Sequence, residues 1–303
     1  MNNLKVHIAL FIVTLIYAAT FTIAKEVMPA IIPPSAFILM RVLVATFSIF
    51  FFHAVYVKER VKEFRDFGKF LICAMFGIAF NMLLFFKGLS ITTPINGAVL
   101  MMNTPIFVVV FAAFMLKEKL TINKIAGILI ASAGAMMLVG GRKFNFSGET
   151  VLGDLLITVN AIIYAFYLVY AKELMQKYHP VTVTLWSFFF GLFIVLPFGF
   201  TDLIHLNWAT FTMKIWLIIL FITVGCTFIT YVLNAYALKH GSSSLVGSYI
   251  YLQPVLAVMI ALLSGKDSLS TEKMFYIIVV FFGVFLVNRR KPVWLKKNTL
   301  QKL

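Results

Sequence analysis

Charged residues are scarce in this sequence. Asp, Glu, Lys and Arg make up only 12% of its 303 residues, whereas hydrophobic residues make up 62%. Soluble globular domains have about 25% charged residues. A soluble protein of this composition would have too little polar surface to stay dispersed in water. The scarcity of charge therefore excludes a soluble domain and indicates a protein that lies in the lipid bilayer.

Residues that form particular chemical sites are scarce as well. The chain has 2 Cys, which provide neither a disulfide framework nor a metal-ligand spacing. It has no phosphate-binding loop, because Ser264-Gly265-Lys266 lacks the upstream glycine of that motif. The apolar runs contain no pair of His or Asp for hydrolysis, and no carboxylate at mid-span for a buried proton relay. We therefore predict that the protein is not an enzyme and that it uses no metal and no cofactor.

The sequence contains long runs without charged residues. Crossing the hydrocarbon core of a bilayer takes about 20 mostly apolar residues. The first run is followed by no small-residue cleavage site, so we expect it to be retained rather than removed as a signal peptide. The runs predict an all-α membrane protein with ten transmembrane helices, near 6–24, 36–57, 69–88, 94–116, 122–141, 153–171, 180–200, 214–237, 244–264 and 273–289.

The basic residues are distributed unevenly over the connections between these helices. With the N-terminus inside, 18 of the 26 Lys and Arg fall on the inner side and 7 on the outer side, and Arg41 lies within a helix. Short cytoplasmic loops are enriched in Lys and Arg. The asymmetry predicts that both termini are cytoplasmic, and it explains the net charge of +15 without a nucleic-acid partner. It places Val61, Leu120, Lys177 and Leu303 inside, and Ala30, Phe146 and Asn207 outside.

The chain also contains an internal repeat. A shift of 147 positions places Tyr17 on Tyr164, and a shift of 149 places Pro105 on Pro254. Each half has five predicted helices, which is an odd number, so the second half must enter the membrane in the opposite orientation. Inverted repeats of this kind are typical of secondary transporters, in which the two repeats exchange conformations to switch the open side.

Four segments of the first half carry further motifs: Met40-Arg41-Val42-Leu43-Val44-Ala45, Asn103-Thr104-Pro105-Ile106-Phe107, Leu116-Lys117-Glu118-Lys119-Leu120-Thr121, and a glycine-rich helix from Gly127 to Gly141. Together with the ten helices and the repeat, they resemble the EamA family of the drug/metabolite transporter superfamily. The second half departs from the pattern at Gly265-Lys266-Asp267-Ser268-Leu269, where Asp replaces Glu. We predict a first EamA-like repeat over 1–141, a linker over 142–152, a second repeat over 153–291 and a basic cytoplasmic tail over 292–303.

Arg41 is the only formal charge well inside a predicted helix. It would either anchor a carboxylate or another anion of the substrate, or snorkel to the interface and tie down helix packing. Amide and aromatic side chains on shared helix faces should point inward, either to a cavity or to hydrogen bonds between helices. The predicted lining of a substrate cavity is Arg41, Asn81, Asn103, Asn160, Tyr164, Tyr167, Trp186, Tyr249 and Gln253.

Two prolines and one acid complete the candidates. Pro105 and Pro254 fall near the middle of helices 4 and 9, at positions that the repeat matches. Because proline removes a backbone hydrogen bond and kinks a helix, we predict that both are hinges around which the repeats bend, with a simple packing kink as the alternative. Glu118 is expected to be a structural partner of Lys117, Lys119 or Lys124, with a proton site as the alternative.

The family resemblance implies a secondary transporter that exports small metabolites, amino acids or related compounds, by alternating access. It implies the cytoplasmic membrane of a prokaryote, with a small-molecule substrate and the lipid bilayer as partners. One alternative is a nucleotide-sugar or lipid-linked-sugar carrier of the same superfamily, which a single embedded arginine disfavours. A membrane enzyme or a sensor is disfavoured by the missing catalytic pair and by the missing soluble domain. The oligomeric state is not predicted.

Overall fold

The computed structural model describes residues 2–92, 97, 100–118, 120–139, 151–263 and 271–288. Every regular element within these ranges is helical, so the predicted all-α class is confirmed. The predicted linker, apart from Val151 and Leu152, and the whole predicted tail lie outside the described residues.

The first half begins with α1, Asn2–Lys25. The second helix, α2, covers Pro34–Phe52 and ends in a π-helical turn, His53–Val57. The third, α3, consists of Asp66–Ala74, a π-helical stretch Met75–Ala79 and then Phe80–Ile91. It is followed by α4, Thr104–Met115, and α5, Ile122–Val139.

The second half begins with two long helices, α6, Val151–Lys177, and α7, Pro180–Ile204. Next, α8 consists of Met213–Leu220, a π-helical stretch Phe221–Ile229 and Thr230–His240. The ninth helix, α9, is divided into Ser243–Ser248 and Leu252–Leu263 by a 3-10 turn, Tyr249–Tyr251. The last, α10, is Thr271–Asn288.

Within the described ranges, five helices are long and apolar enough to cross a membrane: Pro34–Val57, Asp66–Ile91, Val151–Lys177, Pro180–Ile204 and Met213–His240. The apolar segments of α1, α4, α5 and α10 are shorter. Large apolar side chains face outward on these helices too; Phe114 is 81% exposed and Ile122 is 84% exposed. Such a surface suits lipid acyl chains rather than water, and the chain is a multi-pass membrane protein.

The most extensive helix contacts join the two halves of the chain. The pairs are α2 with α7, α3 and α4 with α6, α1 with α8, and α5 with α10. Between α5 and α10 the backbones touch: a Cβ atom on Gly283 would lie 2.4 Å from the backbone nitrogen of Ala131. Small residues permit such close approach of helices in lipid. The halves therefore interlock, and a space between them is bordered by helices from both.

Interruptions of the helices occur at corresponding places in the two halves. A π-helical stretch lies within α3 and another within α8. A turn at Met102 and Asn103 precedes α4, and the 3-10 turn Tyr249–Tyr251 divides α9. Transporters often place their substrate site beside discontinuous helices of this kind. A substrate site is therefore expected beside these interruptions.

Both prolines lie just after an interruption of their helix rather than inside a continuous helix. Pro105 lies in the first turn of α4, and Pro254 is the third residue of the second part of α9. Proline is tolerated in a first turn because its missing N–H would have no intrahelical partner there. Each proline thus begins a helix just after an interruption. Their role as hinges stays a prediction, and it now concerns the interruption rather than a kink.

Candidate substrate cavity

A cavity lies between the two halves. Its empty volume is about 1020 Å³, counting the part that is open to solvent. Its walls come from α1, α2, α3, α6, α8 and α9, together with Met101 ahead of α4. Small-molecule sites commonly lie between the helices of a bundle, as this cavity does.

The cavity extends further toward one end of the bundle than toward the other. The starts of α1 and α9 lie at the same end, because His7 Nδ1 lies 2.6 Å from the Tyr249 hydroxyl. We call this the N-terminal end. The cavity wall begins on α1 at Leu10 and on α9 at Val246, and it reaches Ala24, next to the last residue of α1. The cavity wall therefore stops short of the N-terminal end, where the start of α1 and the start of α9 lie.

Arg41 is held at the cavity wall as a buried cation. Its Nε donates to the Thr227 hydroxyl at 2.9 Å, its Nη2 donates to Cys226 Sγ at 3.5 Å, and its guanidinium carbon lies 5.0 Å from the centre of the Phe86 ring. Arg41 is only 5% exposed. No carboxylate among the described residues forms an ion pair with it. A guanidinium has five N–H donors, so several remain for an anionic group of a ligand.

The π-helical stretch of α8 provides both polar partners of Arg41. The Thr227 hydroxyl donates its own proton to the Ile222 carbonyl at 2.8 Å, which leaves its oxygen free to accept from Arg41. Cys226 precedes Thr227 in the same stretch. π-Helical segments occur frequently at functional sites. Here the segment fixes the orientation of the guanidinium.

Asn160 supplies an acceptor that has no partner. It is fully buried on α6, and its Nδ2 donates to the Asn81 carbonyl at 2.6 Å. Its Oδ1 makes no hydrogen bond within the described part of the chain. Leaving a buried acceptor unpaired costs about 1–3 kcal/mol. A donor from a ligand or from water would remove that cost.

Aromatic rings form much of the remaining wall. Tyr231 donates its hydroxyl to the Gly77 carbonyl at 3.1 Å, in the π-helical stretch of α3. No Asp or Glu of the described residues lines the cavity, so Arg41 gives the wall a positive charge. The aromatic residues that line it are Tyr17, Phe85, Phe86, Tyr164, Tyr231 and Tyr249.

The structure brings six of the predicted lining residues together around this cavity: Arg41, Asn81, Asn160, Tyr164, Tyr249 and Gln253. It places Asn103, Tyr167 and Trp186 elsewhere, so their predicted position in the wall is wrong. The Nδ2 of Asn103 donates to the Leu100 carbonyl at 3.1 Å, within the turn before α4. The ring of Tyr167 packs on Gly77, where a Cβ atom would lie 2.4 Å from it. The ring centre of Trp186 lies 4.8 Å from that of Phe67.

Other lining residues were not predicted as part of the site. The repeat could have indicated Tyr17, because it corresponds to Tyr164. Asn234 could have been found from the polar face that it shares with Thr223, Thr227 and Thr230 on α8. Nothing in the sequence distinguishes Phe86 from the other members of a set of 33 phenylalanines.

The sequence profile of the EamA-like transporter family matches the chain twice, over residues 4–140 and 151–289. The chain belongs to the EamA-like transporter family. The resemblance inferred from the motifs is thereby confirmed, and the two matches fit an architecture of two repeats. This EamA-like protein is a membrane transporter.

Curated relatives of this EamA-like transporter carry transporter names. An uncharacterized transporter of Archaeoglobus fulgidus is 25% identical over 294 residues, which cover 95% of this chain and 99% of the relative. The uncharacterized transporter YyaM of Bacillus subtilis is 22% identical over 303 residues and 95% of each protein. The aromatic amino acid exporter YddG of Ancylobacter novellus is 25% identical over 199 residues, 64% of this chain and 66% of the exporter. A solved crystal structure has the same fold, with a TM-score of 0.77 at 19% identity, over 93% of this chain and 95% of its own.

Proposed function

We propose that this transporter exports small metabolites that carry a carboxylate group, amino acids or related compounds, by alternating access. The observation that carries the proposal is the state of Arg41, a buried cation at the cavity wall without a carboxylate partner among the described residues. A charge at membrane depth is costly unless it is paired. A substrate carboxylate would offset this cost, and the guanidinium can hold it with two parallel hydrogen bonds.

The rest of the wall suits a substrate with an apolar or aromatic body. Six aromatic rings surround the space, and the Asn160 Oδ1 is available to accept a hydrogen bond from an ammonium group. The similarity to an aromatic amino acid exporter supports the same substrate class and the direction of export. A nucleotide sugar brings at least two negative charges, and the described wall has one cation to meet them.

Alternating access further requires two repeats that exchange conformations. We infer ten membrane-spanning helices in two inverted repeats, 1–141 and 153–291, joined by 142–152, in the cytoplasmic membrane of a prokaryote with both termini inside. The helix contacts that join the halves support this arrangement, and so do the matched interruptions. The uneven distribution of basic residues supports the orientation.

Uptake into proteoliposomes tests the proposal. Amino acids, the corresponding carboxylic acids without the amino group, and neutral amides are compared with and without a pH gradient. We expect Arg41→Ala to abolish transport of the carboxylates and to affect neutral compounds less. Arg41→Lys keeps the charge but loses the planar fork, so it should weaken transport without abolishing it. Arg65→Ala, at an exposed arginine outside the cavity, is the control and should transport normally.

A structural role of Arg41 would produce a different set of results. Both Arg41 variants would then lower the melting temperature of the detergent-solubilised protein, and the remaining transport would keep its substrate ranking. That combination would contradict the proposed substrate site and leave the family membership intact.

A further inference from the structure

A second group of charges joins the two halves at the N-terminal end of the bundle. The carboxylate of Glu118, which follows α4, lies 3.0 Å from Lys124 Nζ on α5 and 3.3 Å from Lys172 Nζ on α6. Ser244, the second residue of α9, donates its hydroxyl to the same carboxylate at 3.0 Å. Glu118 and Lys124 belong to the first family match, and Lys172 and Ser244 belong to the second. One carboxylate therefore connects two helices of the second half to the first half.

The backbone around Glu118 positions this carboxylate. Lys117, two residues after the end of α4, has a left-handed conformation, with φ of 52°. The Glu118 N–H then donates to the Ala112 carbonyl at 3.0 Å. A left-handed conformation is unfavourable for a residue other than glycine. The hydrogen bond from Glu118 to Ala112 thus stabilises the turn, including the unfavourable left-handed conformation of Lys117.

The charges of this group are largely shielded from solvent. The side chains of Glu118, Lys124 and Lys172 are 16%, 19% and 18% exposed. Burial alone would raise the pKa of Glu118, but the hydrogen bond from Lys124 and the charges of Lys172 and Lys124 outweigh it and hold the pKa below its usual value. The carboxylate therefore stays ionised. A shielded pair interacts more strongly than a pair exposed to water.

Ser244 lies next to the N-terminal end of the cavity wall. The cavity wall begins on α9 at Val246, within the same short helix Ser243–Ser248. In this helix, Gly247 packs against Val108 of α4, where a Cβ atom would lie 3.3 Å from the valine side chain. The 3-10 turn Tyr249–Tyr251 separates the short helix from the rest of α9. The segment that Glu118 holds is therefore the one at which the cavity wall begins on α9.

The internal repeat contains the same residue types at corresponding positions. A shift of 149 places Glu118 on Asp267 and Lys124 on Lys273, and a shift of 147 places Lys172 on Lys25. Residues 264–270 lie outside the described residues. The recurrence in the sequence indicates that the acid and its two lysines belong to the design of the repeat rather than to one loop.

We propose that Glu118, Lys124, Lys172 and Ser244 form a latch that keeps the N-terminal end of the cavity closed and that must break before substrate can pass there. Its breakage separates the short helix of α9 from the end of α4. The proposal rests on alternating access as proposed above, but it does not depend on the identity of the substrate.

Distances between spin labels in nanodiscs, measured without substrate, test the latch. One pair of labels replaces Ile122 and His240, which are exposed, lie near the latch and belong to different halves. A second pair replaces Ala30 and Thr210, in exposed connections at the opposite end. Glu118→Gln keeps the size of the side chain and removes its charge. We expect it to add a population in which the first pair is longer by more than about 5 Å and the second pair is shorter.

Two further variants complete the experiment. Lys172→Gln breaks the latch from the other half and should shift both distances in the same directions. Glu173→Gln is the matched control, because Glu173 is the exposed neighbour of Lys172, and it should leave both distributions unchanged. If the latch variants leave the distances unchanged, or broaden both pairs without opposite shifts, the proposal is wrong. Because no substrate is present, a failure of the carboxylate assignment would not alter this result.

Discussion

At the residue scale, the orientation of the Arg41 guanidinium depends on the hydrogen bond that its Nε donates to the Thr227 hydroxyl. The Thr227 hydroxyl holds Nε and the Cys226 sulfur holds Nη2, so the guanidinium is fixed at the cavity wall by two donors, and its other N–H groups have no hydrogen-bond partner among the described residues. Without the Thr227 hydroxyl the side chain could rotate and turn its Nε away from α8. The proposed binding of substrate by Arg41 therefore depends on Thr227, which orients the guanidinium.

We expect Thr227→Val to raise the KM for transport about 5- to 30-fold, which corresponds to the loss of about 1–2 kcal/mol from a charge-assisted hydrogen bond. Valine has nearly the same shape, so packing is preserved while the acceptor is removed. Thr223→Val is the matched control. Thr223 is also buried in the π-helical stretch of α8, but its hydroxyl donates to the Ile219 carbonyl and does not contact Arg41. Equal KM values for the two variants in proteoliposome uptake would show that Thr227 does not orient Arg41.

At the element scale, α4 and α9 owe their interruptions to proline. Pro105 cannot donate to the Met101 carbonyl, and Pro254 cannot donate to the Ile250 carbonyl, so neither helix can continue backward in the regular pattern. An alanine would restore the donor and allow each helix to extend across its interruption. The two interruptions border the cavity through Met101, Tyr249 and Ile250.

We expect Pro105→Ala and Pro254→Ala to slow transport while expression stays nearly normal. The two variants should bias the protein toward opposite open sides, because inverted repeats exchange conformations between the two states. Reporter cysteines at each end of the bundle, labelled with a thiol reagent, would show this as opposite changes in accessibility. Pro180→Ala, in the first turn of α7, serves as the control and should change neither. Shifts in the same direction would indicate that the prolines only affect packing.

The contact between α5 and α10 permits a test of packing. In Gly283→Ala the new methyl group would lie 2.4 Å from the backbone nitrogen of Ala131 and 2.7 Å from the Gly127 carbonyl oxygen. Because both neighbours are backbone, the helices must separate, and we expect a destabilisation of about 1–3 kcal/mol. The control is Gly68→Ala, where no atom lies within 4 Å and the helix gains a better helix former. Melting temperatures in detergent should fall for the first variant only, and equal melting temperatures would contradict the close packing.

At the scale of the whole molecule, the orientation of the helices can be tested one connection at a time. We expect cysteines introduced at Val61, Leu120, Lys177 and Leu303 to react only from the cytoplasmic side. Those at Ala30, Phe146 and Asn207 should react only from the opposite side. The reason is the excess of basic residues in the connections of one side. Labelling of Leu120 and Phe146 from the same side would be inconsistent with ten spans.

The sequence predicts where the helices lie better than it predicts where they are interrupted and which side chains meet between them. Charge-free runs locate the helices, since lipid excludes unpaired charges; the run at 180–200 corresponds to Pro180–Ile204. The predicted helix 94–116 is interrupted by the turn at Met102 and Asn103; the described residues Gly97, Leu100 and Met101 are helical before the turn, and α4 follows it. The position of this interruption depends on how proline, the Asn103 amide and the Leu100 carbonyl meet in three dimensions.

The same limit applies to the site. Tyr164 and Tyr167 share a helix face, yet only Tyr164 lines the cavity, because α3 presents Gly77 to the ring of Tyr167. A helical pattern identifies the face of a helix that points inward. It does not show which residue of the neighbouring helix lies opposite each position. The π-helical stretches add a second difficulty, because an extra residue per turn shifts the face of every residue that follows. Arg41 can be predicted from the sequence alone, because a charged residue within an apolar run is recognisable without knowledge of its contacts.

The proposed alternating access requires that the cavity between the halves is open to each side of the membrane in turn. Replacing Met101, which lines the cavity, by cysteine introduces a reporter thiol there. The unmodified protein measures the background labelling of the two native thiols, Cys73 and Cys226. The reporter is labelled with a membrane-impermeant thiol reagent in right-side-out and inside-out vesicles. We expect labelling from both sides and protection from both sides by a transported carboxylate. Labelling from one side only, with no protection by any transported compound, would contradict it.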